Sequence, residues 1–293
     1  MEHPDDHTCL ERAYKHAIDV LQRQNVPILP SSSILGDSRS SLTQRLPELG
    51  VGMKQMTDHL IQEIAPALNG SSLSPNYYSF VTGGITPAAR VAESLVSLYD
   101  QNPQVHLPDQ TIASNIEDKA LRLLMDLLQF DQSAWSGIFT TGATASNVLG
   151  LACGREYIVN RRLERTFGSS QQQSLGSLGM LPACRLAGIE EFRIYTTMAH
   201  SSLYKASSIL GLGRSCVQDL GHHSVGIRFN LAKLENELAS NQHNAVSMVV
   251  ISCSDVNTGL FATQGLVDAQ RLRELCDKYS AWLHVDGGRS FAS

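Results

Sequence analysis

The first half of the chain carries its apolar residues at helical spacing. Residues 8–24, 53–68 and 111–130 each place apolar side chains three to four positions apart, which predicts three helices. Another helix is predicted to start after Thr86-Pro87, because threonine can cap a helix and proline suits its first turn. The N-terminal part is therefore expected to be helical.

From Gly137 onward, short apolar runs alternate with amphipathic stretches. Gly137 is predicted to open a short strand, which leads through a glycine-containing turn into a helix. Further strands are predicted at 192–198, 216–220, 246–254 and 281–286. Helices are predicted between these strands, one of them capped by Asn230. This alternation is typical of an α/β domain with a mainly parallel sheet.

Two stretches have the composition of irregular structure. Residues 25–52 contain three prolines, a run of serines and, near the end of the stretch, Gly50 and Gly52. This composition predicts a linker or an extended arm. Residues 166–180 are rich in Ser, Gln and Gly and are predicted to form a mobile surface loop.

Composition narrows the functional classes. The 293 residues carry a net charge of -5 and no basic stripe, so a nucleic-acid partner is not expected. No run approaches the ~18–20 apolar residues of a membrane span, and the polar N-terminus is unlike a signal peptide. The six cysteines form no CxxC pair and are expected to be reduced and structural. We therefore expect a cytoplasmic protein without a membrane partner.

Ligands of open parallel sheets bind at the carboxyl ends of the strands, so the turn after Gly137 is the first candidate site. Small and hydroxylated residues fill this turn, among them Ala143, Thr144 and Ser146. Small side chains let backbone N–H groups approach a ligand, and the start of the next helix attracts a phosphate. The alternative is a capped turn without any ligand.

Two further candidates, His200 and Asp286, follow predicted strands. The His200 imidazole is placed to stack on a flat heterocycle or to move a proton, although such a histidine is often only structural. Asp286 ends an apolar strand, where a carboxylate needs a cationic partner such as a protonated cofactor nitrogen, an arginine or a metal ion. Further metal ligands cannot be placed, so no metal site is predicted.

Taken together and in this order, the turn, His200 and the HVD of residues 284–286 resemble the group II pyridoxal-phosphate (PLP) decarboxylases. These are fold-type-I relatives of the aromatic-amino-acid and glutamate decarboxylases. Three further segments resemble the same family, and the resemblance runs from about residue 70 to residue 286. The segments are 76–102, 105–128 and 254–263.

The resemblance implies a role for each site residue. Ala143 and Thr144 would bind the phosphate, and His200, the catalytic residue, would stack over the pyridine ring. Asp286 would pair with the pyridinium nitrogen, and Asn257 would lie in a loop on the cofactor side. The implied activity is decarboxylation of an L-amino acid, aromatic by preference, to the amine and CO2 in secondary metabolism. The implied assembly is a cytosolic homodimer with PLP as its cofactor.

The implied architecture is the large domain of the fold-type-I PLP-dependent enzymes. Residues 1–75 would form a helical N-terminal segment and arm, and 76–293 a partial PLP-binding domain with a mainly parallel sheet. The sheet would be incomplete at its C-terminal end, and the small C-terminal domain would be absent. The open sheet edge predicts that the chain alone is marginally stable or aggregation-prone, unless a partner covers this edge.

The lysines depart from the family pattern. The family's Schiff-base lysine lies downstream of the HVD strand, but the chain ends seven residues after Asp286. Its six lysines are Lys15, Lys54, Lys119, Lys205, Lys233 and Lys278. An alternative is therefore a truncated, non-catalytic paralogue or a gene-model fragment. A weaker alternative is another fold-type-I PLP lyase.

Overall fold

A computed structural model describes most of the chain and divides it into two compact units. The described residues are 4–23, 27–80, 83–168, 173–221, 227–240, 244–255 and 258–288. One unit ends at Ser114 and the other begins at Asn115. The predicted boundary at residue 75 marks where the PLP-binding domain would begin. The division into compact units does not test it, so it stays a prediction.

Helices make up the regular structure of the first unit. They are α1 (Pro4–Gln22), α2 (Ser32–Ser41), α3 (Gly52–His59) and α4 (Pro87–Tyr99), and α5 (Ala113–Leu127) begins where this unit ends. A π turn, Leu60–Ile64, and a 3-10 turn, Ala65–Ala67, extend α3. The predicted cap is confirmed, because the Thr86 hydroxyl accepts the N–H of Ala89 at 3.3 Å.

The prediction of a linker or an extended arm over 25–52 is wrong for its middle part, which contains α2. The hydroxyl of Ser31 accepts the N–H of Ile34 at 3.3 Å and so caps this helix. The Ser38 hydroxyl, buried in this unit, donates to the carbonyl of Glu63. Serine runs are frequent in irregular structure, but serine is also among the best residues for starting a helix.

The second unit contains a parallel sheet, as predicted. Within the described residues it has four strands in the order β2-β1-β3-β4, and all neighbouring pairs are parallel. The strands are β1 (Glu191–Thr196), β2 (Val217–Asp219), β3 (Ala245–Ser252) and β4 (Trp282–Asp286). The helices are α6 (Ala143–Phe167), α7 (Leu175–Leu178), α8 (Met180–Leu186), α9 (Ser201–Ile209), α10 (Leu231–Ser240) and α11 (Gly265–Lys278), with a 3-10 turn at Arg214–Cys216.

Alternating strand residues bury two separate hydrophobic cores, one on each face of the sheet. Ile194, Met248 and Val250 pack with residues of α6, α8 and α9. Tyr195, Val249 and Ile251 face the other way, toward α10 and α11. Since both faces are covered, β3 is apolar along almost its whole length, which is why its pattern in the sequence is a continuous run.

Two predictions for the second unit need correction. Residues 137–141 do not form a strand, because a strand needs a hydrogen-bonded neighbour and none of the described residues provides one. The mobile loop predicted for 166–180 is partly helical instead. The helix α6 extends to Phe167, and α7 begins at the buried Leu175 after a cap by Ser174. Residues 169–172 of this stretch lie outside the described residues.

Helix α6 approaches β4 closely because two of its residues are glycines. A methyl group built on Gly150 would lie 2.6 Å from Nδ1 of His284. A methyl group built on Gly154 would lie 2.5 Å from Cδ1 of Trp282. Both distances are far below van der Waals contact, so this helix–strand spacing requires glycine at both positions.

The predicted cap of α10 is confirmed and can be tested. The Asn230 side chain accepts the N–H of Lys233 at 3.0 Å. We expect Asn230→Ala to lower the free energy of unfolding by about 1 kcal/mol, because one N–H at the helix start loses its partner. Urea unfolding followed by tryptophan fluorescence measures this change. Asn230→Ser is the control, since serine caps equally well, and equal losses in both variants would contradict the capping role.

Several apolar side chains remain exposed. On α4 these are Val91, Leu95, Val96, Leu98 and Tyr99. Val285 of β4, the strand at one edge of the described sheet, is also about half exposed. Among the described helices, none combines the length and apolar character needed to cross a bilayer.

Candidate functional site

Three of the predicted site features meet at one edge of the parallel sheet in the second unit. Asp286 ends β4, and His200 lies between β1 and α9. The helix α6 begins at Ala143 beside them, since a methyl group built on Gly288 would lie 2.9 Å from Cβ of Ala143. This edge holds the carboxyl ends of the strands, where ligands of such sheets bind.

The start of α6 is open to solvent. Ala143 and Thr144 are exposed, and the preceding residue, Gly142, has no side chain with which to cap the helix. Its φ of 153° lies in a region that favours glycine. The hydroxyls of Thr140 and Ser146 lie 2.7 Å apart at the same turn. Backbone N–H groups of the first helical turn therefore remain able to bind an anion.

The carboxylate of Asp286 is held by neutral donors. Nδ2 of Asn147 donates to its Oδ2 at 2.9 Å, and the backbone N–H of Gly288 donates to its Oδ1 at 3.2 Å. Within the described ranges, no lysine or arginine forms an ion pair with it. The negative charge is thus oriented but not neutralised by these partners.

His200 caps α9 with its own imidazole. Its Nδ1 accepts the backbone N–H of Ser202 at 3.2 Å and lies 2.8 Å from the Ser202 hydroxyl. The residue is exposed, so the other side of the ring is accessible. The sequence left open a structural role, and the cap is such a role. It also orients the ring at the ligand edge, so the two roles are compatible.

Asn147 connects these residues and was not recognised as a site residue in the sequence. It is buried in the first turns of α6. Besides Asp286, its Nδ2 donates to the hydroxyl of Ser202 at 3.1 Å, and its Oδ1 lies 2.8 Å from Nε2 of His284. One signal was available: Asn147 is a polar residue on the apolar face that α6 turns toward the sheet.

His284 lies behind this network, on the side of β4 that faces α6. Burial lowers the pKa of its imidazole below the usual 6.5, and the Asp286 carboxylate opposes this shift in part. The neutral form is therefore the one that the folded protein favours.

The lowered pKa of His284 predicts a loss of stability in acid. The unfolded chain binds the proton below about pH 6.5, whereas the folded chain binds it only at lower pH. The stabilising contribution is therefore complete above pH 6.5 and is lost as the pH falls toward the lowered pKa of the folded state. We expect His284→Gln, which cannot titrate, to reduce the decline of the unfolding free energy between about pH 7 and pH 5. Urea titrations at each pH measure the decline, with the exposed His106→Gln as control. An unchanged decline in His284→Gln would contradict the prediction.

Two other carboxylates lie at the same edge and accept hydrogen bonds from the loops that surround them. Asp255 accepts the N–H and the hydroxyl of Thr258 at 2.9 and 2.8 Å. Asp219 accepts the backbone N–H groups of Gly221 and Met198. Asp286 differs from both because a side chain 139 positions away holds it.

Two of the six described non-glycine residues with a positive φ lie at this edge. Met198, after β1, and Ser254, after β3, have φ values of 49° and 86°. Left-handed conformations are costly for residues other than glycine, and they are frequent at functional sites.

The other residues considered for the site are Asn257, two of the lysines and the cysteines. Asn257 lies outside the described residues, so its role stays a prediction. Lys278, which precedes the β4 strand, donates to Glu235 at 2.8 Å. Lys205 is exposed on α9. None of the six cysteines, all of them described residues, forms a disulfide, and burial raises the pKa of Cys276 to about 12, as expected for a structural thiol.

Two curated proteins that are similar to this chain are decarboxylases. The chain is 22% identical over 266 residues to an L-2,4-diaminobutyrate decarboxylase of Acinetobacter baumannii, which covers 90% of this chain and 49% of that protein. It is 22% identical over 251 residues to an aromatic-L-amino-acid decarboxylase of Bacillus atrophaeus, which covers 85% and 45%. The chain is thus similar to amino-acid decarboxylases, the class of enzyme to which the sequence resemblance also points. It spans about half the length of these curated relatives. No protein-family model matches it.

Solved structures of such decarboxylases share the fold. The glutamate decarboxylase domain of a Vibrio parahaemolyticus diaminobutyrate enzyme superposes with a TM-score of 0.76 at 20% identity, over 98% of this chain and 58% of that one. The structure of Oryza sativa TDC with PLP and tryptamine gives a TM-score of 0.65 at 18% identity, over 97% and 57%. The predicted fold-type-I α/β architecture is thereby confirmed.

Proposed function

We propose that the chain is the cofactor-binding part of a PLP-dependent decarboxylase that acts on an L-amino acid. The observation that carries the proposal is the carboxylate of Asp286, oriented by neutral donors beside an open helix start and an accessible imidazole. The decarboxylases among its relatives support the same function.

The described residues fit the chemical groups of PLP. A phosphate suits the free N–H groups of Ala143 and Thr144, aided by the Thr144 hydroxyl and the positive end of the α6 dipole. A protonated ring nitrogen suits Asp286, whose charge has no cationic partner among the described residues. A flat ring between these two groups would lie against His200.

PLP, when bound, supplies an electron sink for the electrons left behind as CO2 departs. The chain's own residues would set the conditions for that chemistry. Asp286 would keep the proton on the ring nitrogen, because a carboxylate nearby favours the charged form of a base. His200 would lie against the ring, and the α6 start would hold the phosphate.

An aromatic L-amino acid is the substrate class we favour. One curated relative bears the name of an aromatic-L-amino-acid decarboxylase, and one solved relative contains tryptamine. The name of the Acinetobacter relative makes L-2,4-diaminobutyrate the competing candidate.

A direct assay tests the function. The purified protein is incubated with PLP and, separately, with L-tryptophan, L-tyrosine, L-phenylalanine, L-2,4-diaminobutyrate or L-glutamate, and the amine is measured by mass spectrometry. We expect amine from an aromatic substrate and none from the Asp286→Ala variant. Absence of both PLP binding and amine formation would overturn the proposal.

The same assay addresses the non-catalytic alternative, which the positions of the six lysines favour. PLP binding without amine formation, and without a lysine modified after borohydride reduction, would support a paralogue that holds the cofactor but does not turn over. Formation of a different product from PLP-bound substrate would instead support another type of PLP lyase.

We also propose that the protein forms a cytoplasmic homodimer. The exposed apolar side chains of α4 support an interface with a second copy. Cysteines without disulfides support a reducing compartment. Light scattering coupled to gel filtration measures the assembly state, and a monomer at all concentrations would contradict the dimer.

A further inference from the structure

The carboxamide of Asn147 has its orientation dictated by its neighbours. A carboxylate only accepts hydrogen bonds, so the amide nitrogen, and not the oxygen, must face Oδ2 of Asp286 at 2.9 Å. The second hydrogen on Nδ2 points to the Ser202 hydroxyl at 3.1 Å. Both donor hydrogens are thereby used, and Oδ1 is left to accept.

This orientation determines the tautomer of His284. Its Nε2 lies 2.8 Å from Oδ1 of Asn147, and an amide oxygen can only accept, so Nε2 must carry the hydrogen. Burial lowers the pKa of this imidazole, so its other nitrogen is unprotonated near neutral pH.

The same logic continues to His200. The Ser202 hydroxyl accepts from Asn147, so its single hydrogen is free to point to Nδ1 of His200, 2.8 Å away. The backbone N–H of Ser202 points to the same nitrogen. Nδ1 is therefore an acceptor, and neutral His200 carries its hydrogen on Nε2.

We propose that Asn147 is a positioning residue that fixes the carboxylate of Asp286 through its amide nitrogen and the tautomer of His284 through its amide oxygen. The meaning of this role for catalysis rests on the proposed function, because it is the cofactor that Asp286 would contact. The donor and acceptor roles in these hydrogen bonds do not depend on that function, and they can be measured without a cofactor.

Nitrogen-15 NMR of the full chain, with nitrogen-15-labelled histidine, tests these donor and acceptor roles directly. Spectra recorded at about pH 8, above the usual pKa of histidine, distinguish the two tautomers of each neutral ring. Loss of signals in His200→Gln and His284→Gln assigns the two residues. We expect both rings to carry their hydrogen on Nε2. A hydrogen on Nδ1 of either ring overturns the proposal.

Two variants test the link between Asn147 and His284. Asn147→Asp keeps an acceptor for Nε2 of His284, so we expect the tautomer of His284 to persist. Asn147→Leu removes that acceptor, and we expect His284 to become a mixture of tautomers. His200 should keep its tautomer in both variants, because the backbone N–H of Ser202 still donates to its Nδ1. An unchanged His284 tautomer in Asn147→Leu overturns the proposal.

A matched control comes from the same helix. Asn160 of α6 also bonds through its carboxamide, accepting from Leu175 N–H at 2.7 Å and donating to Glu156 at 3.1 Å. Asn160→Ala should leave both tautomers unchanged, whereas a change there would mean that any loss on α6 disturbs the rings and would overturn a specific role for Asn147.

The effect on Asp286 is measured separately with pyridoxamine 5'-phosphate as the probe. We expect Asn147→Asp to bind it about 10-fold or more weakly than the unmodified protein, since the carboxylate loses its donor and gains a like charge beside it. Equal affinity would overturn the claim for Asp286. If the unmodified protein does not bind the probe, it is the proposed function that fails. The NMR result still determines which atoms donate and which accept in the hydrogen bonds of Asn147.

Discussion

Leu151→Ala is expected to lower the free energy of unfolding of the second unit by about 2–5 kcal/mol. Leu151 lies on the face of α6 toward the sheet, is completely buried and belongs to the core that includes Met248 and Val250. Removing its three outer carbons loses burial energy and leaves a cavity that a parallel sheet covered on both faces cannot readily close. Both tryptophans, Trp135 and Trp282, lie in this unit, so their fluorescence during urea unfolding reports the loss.

Leu149→Ala is the matched control for this change. Leu149 lies on the same helix two positions earlier, and its side chain is 45% exposed. The chemical change and the helix propensities are identical, so only burial differs. We expect a loss below about 1 kcal/mol. Similar losses for the two variants would show that α6 does not pack as described.

Gly154→Ala is expected to destabilise the same unit by about 1–3 kcal/mol, although alanine is the better helix former. The added methyl group would lie 2.5 Å from Cδ1 of Trp282 and 2.7 Å from its Cγ. The indole is held in β4, so the helix and the strand must move apart. We expect a shifted Trp282 fluorescence maximum together with the lower unfolding free energy.

Gly176→Ala provides the comparison for this prediction. Gly176 is an exposed residue of α7 in the same unit, and a methyl group there would meet no atom closer than 3.7 Å. We expect the unfolding free energy to stay equal or to rise by up to about 1 kcal/mol. A Gly154→Ala variant as stable as this control would disprove the close approach of α6 and β4.

Local patterns predicted most of the regular elements, because caps and apolar spacing act over a few residues. Thr86 and Asn230 cap the helices that they were expected to cap, and the four strands of the described sheet were all expected. The segment after Gly137 was misassigned, because whether an apolar run forms a strand depends on a neighbour elsewhere in the chain.

The site was only partly predictable for the same reason. His200 and Asp286 follow strands, and parallel strands end at one edge, so their common location followed from the pattern. The partner of Asp286 did not, because Asn147 lies 139 positions away and its burial depends on how α6 rests on β4. Gly150 and Gly154 likewise gained a meaning only when the spacing of helix and strand was known.

The long separation between Asn147 and Asp286 also sets the order of events during synthesis. At about 5–20 residues per second, a ribosome needs roughly 7–28 s to add the 139 residues between them. Throughout that interval β4 has not been synthesised. The glycine surface of α6 therefore has no strand to pack against, and the Asn147 amide lacks its hydrogen-bond partners on β4. The site is thus assembled among the last parts of this unit, and a pause in translation before β4 leaves this surface uncovered for longer.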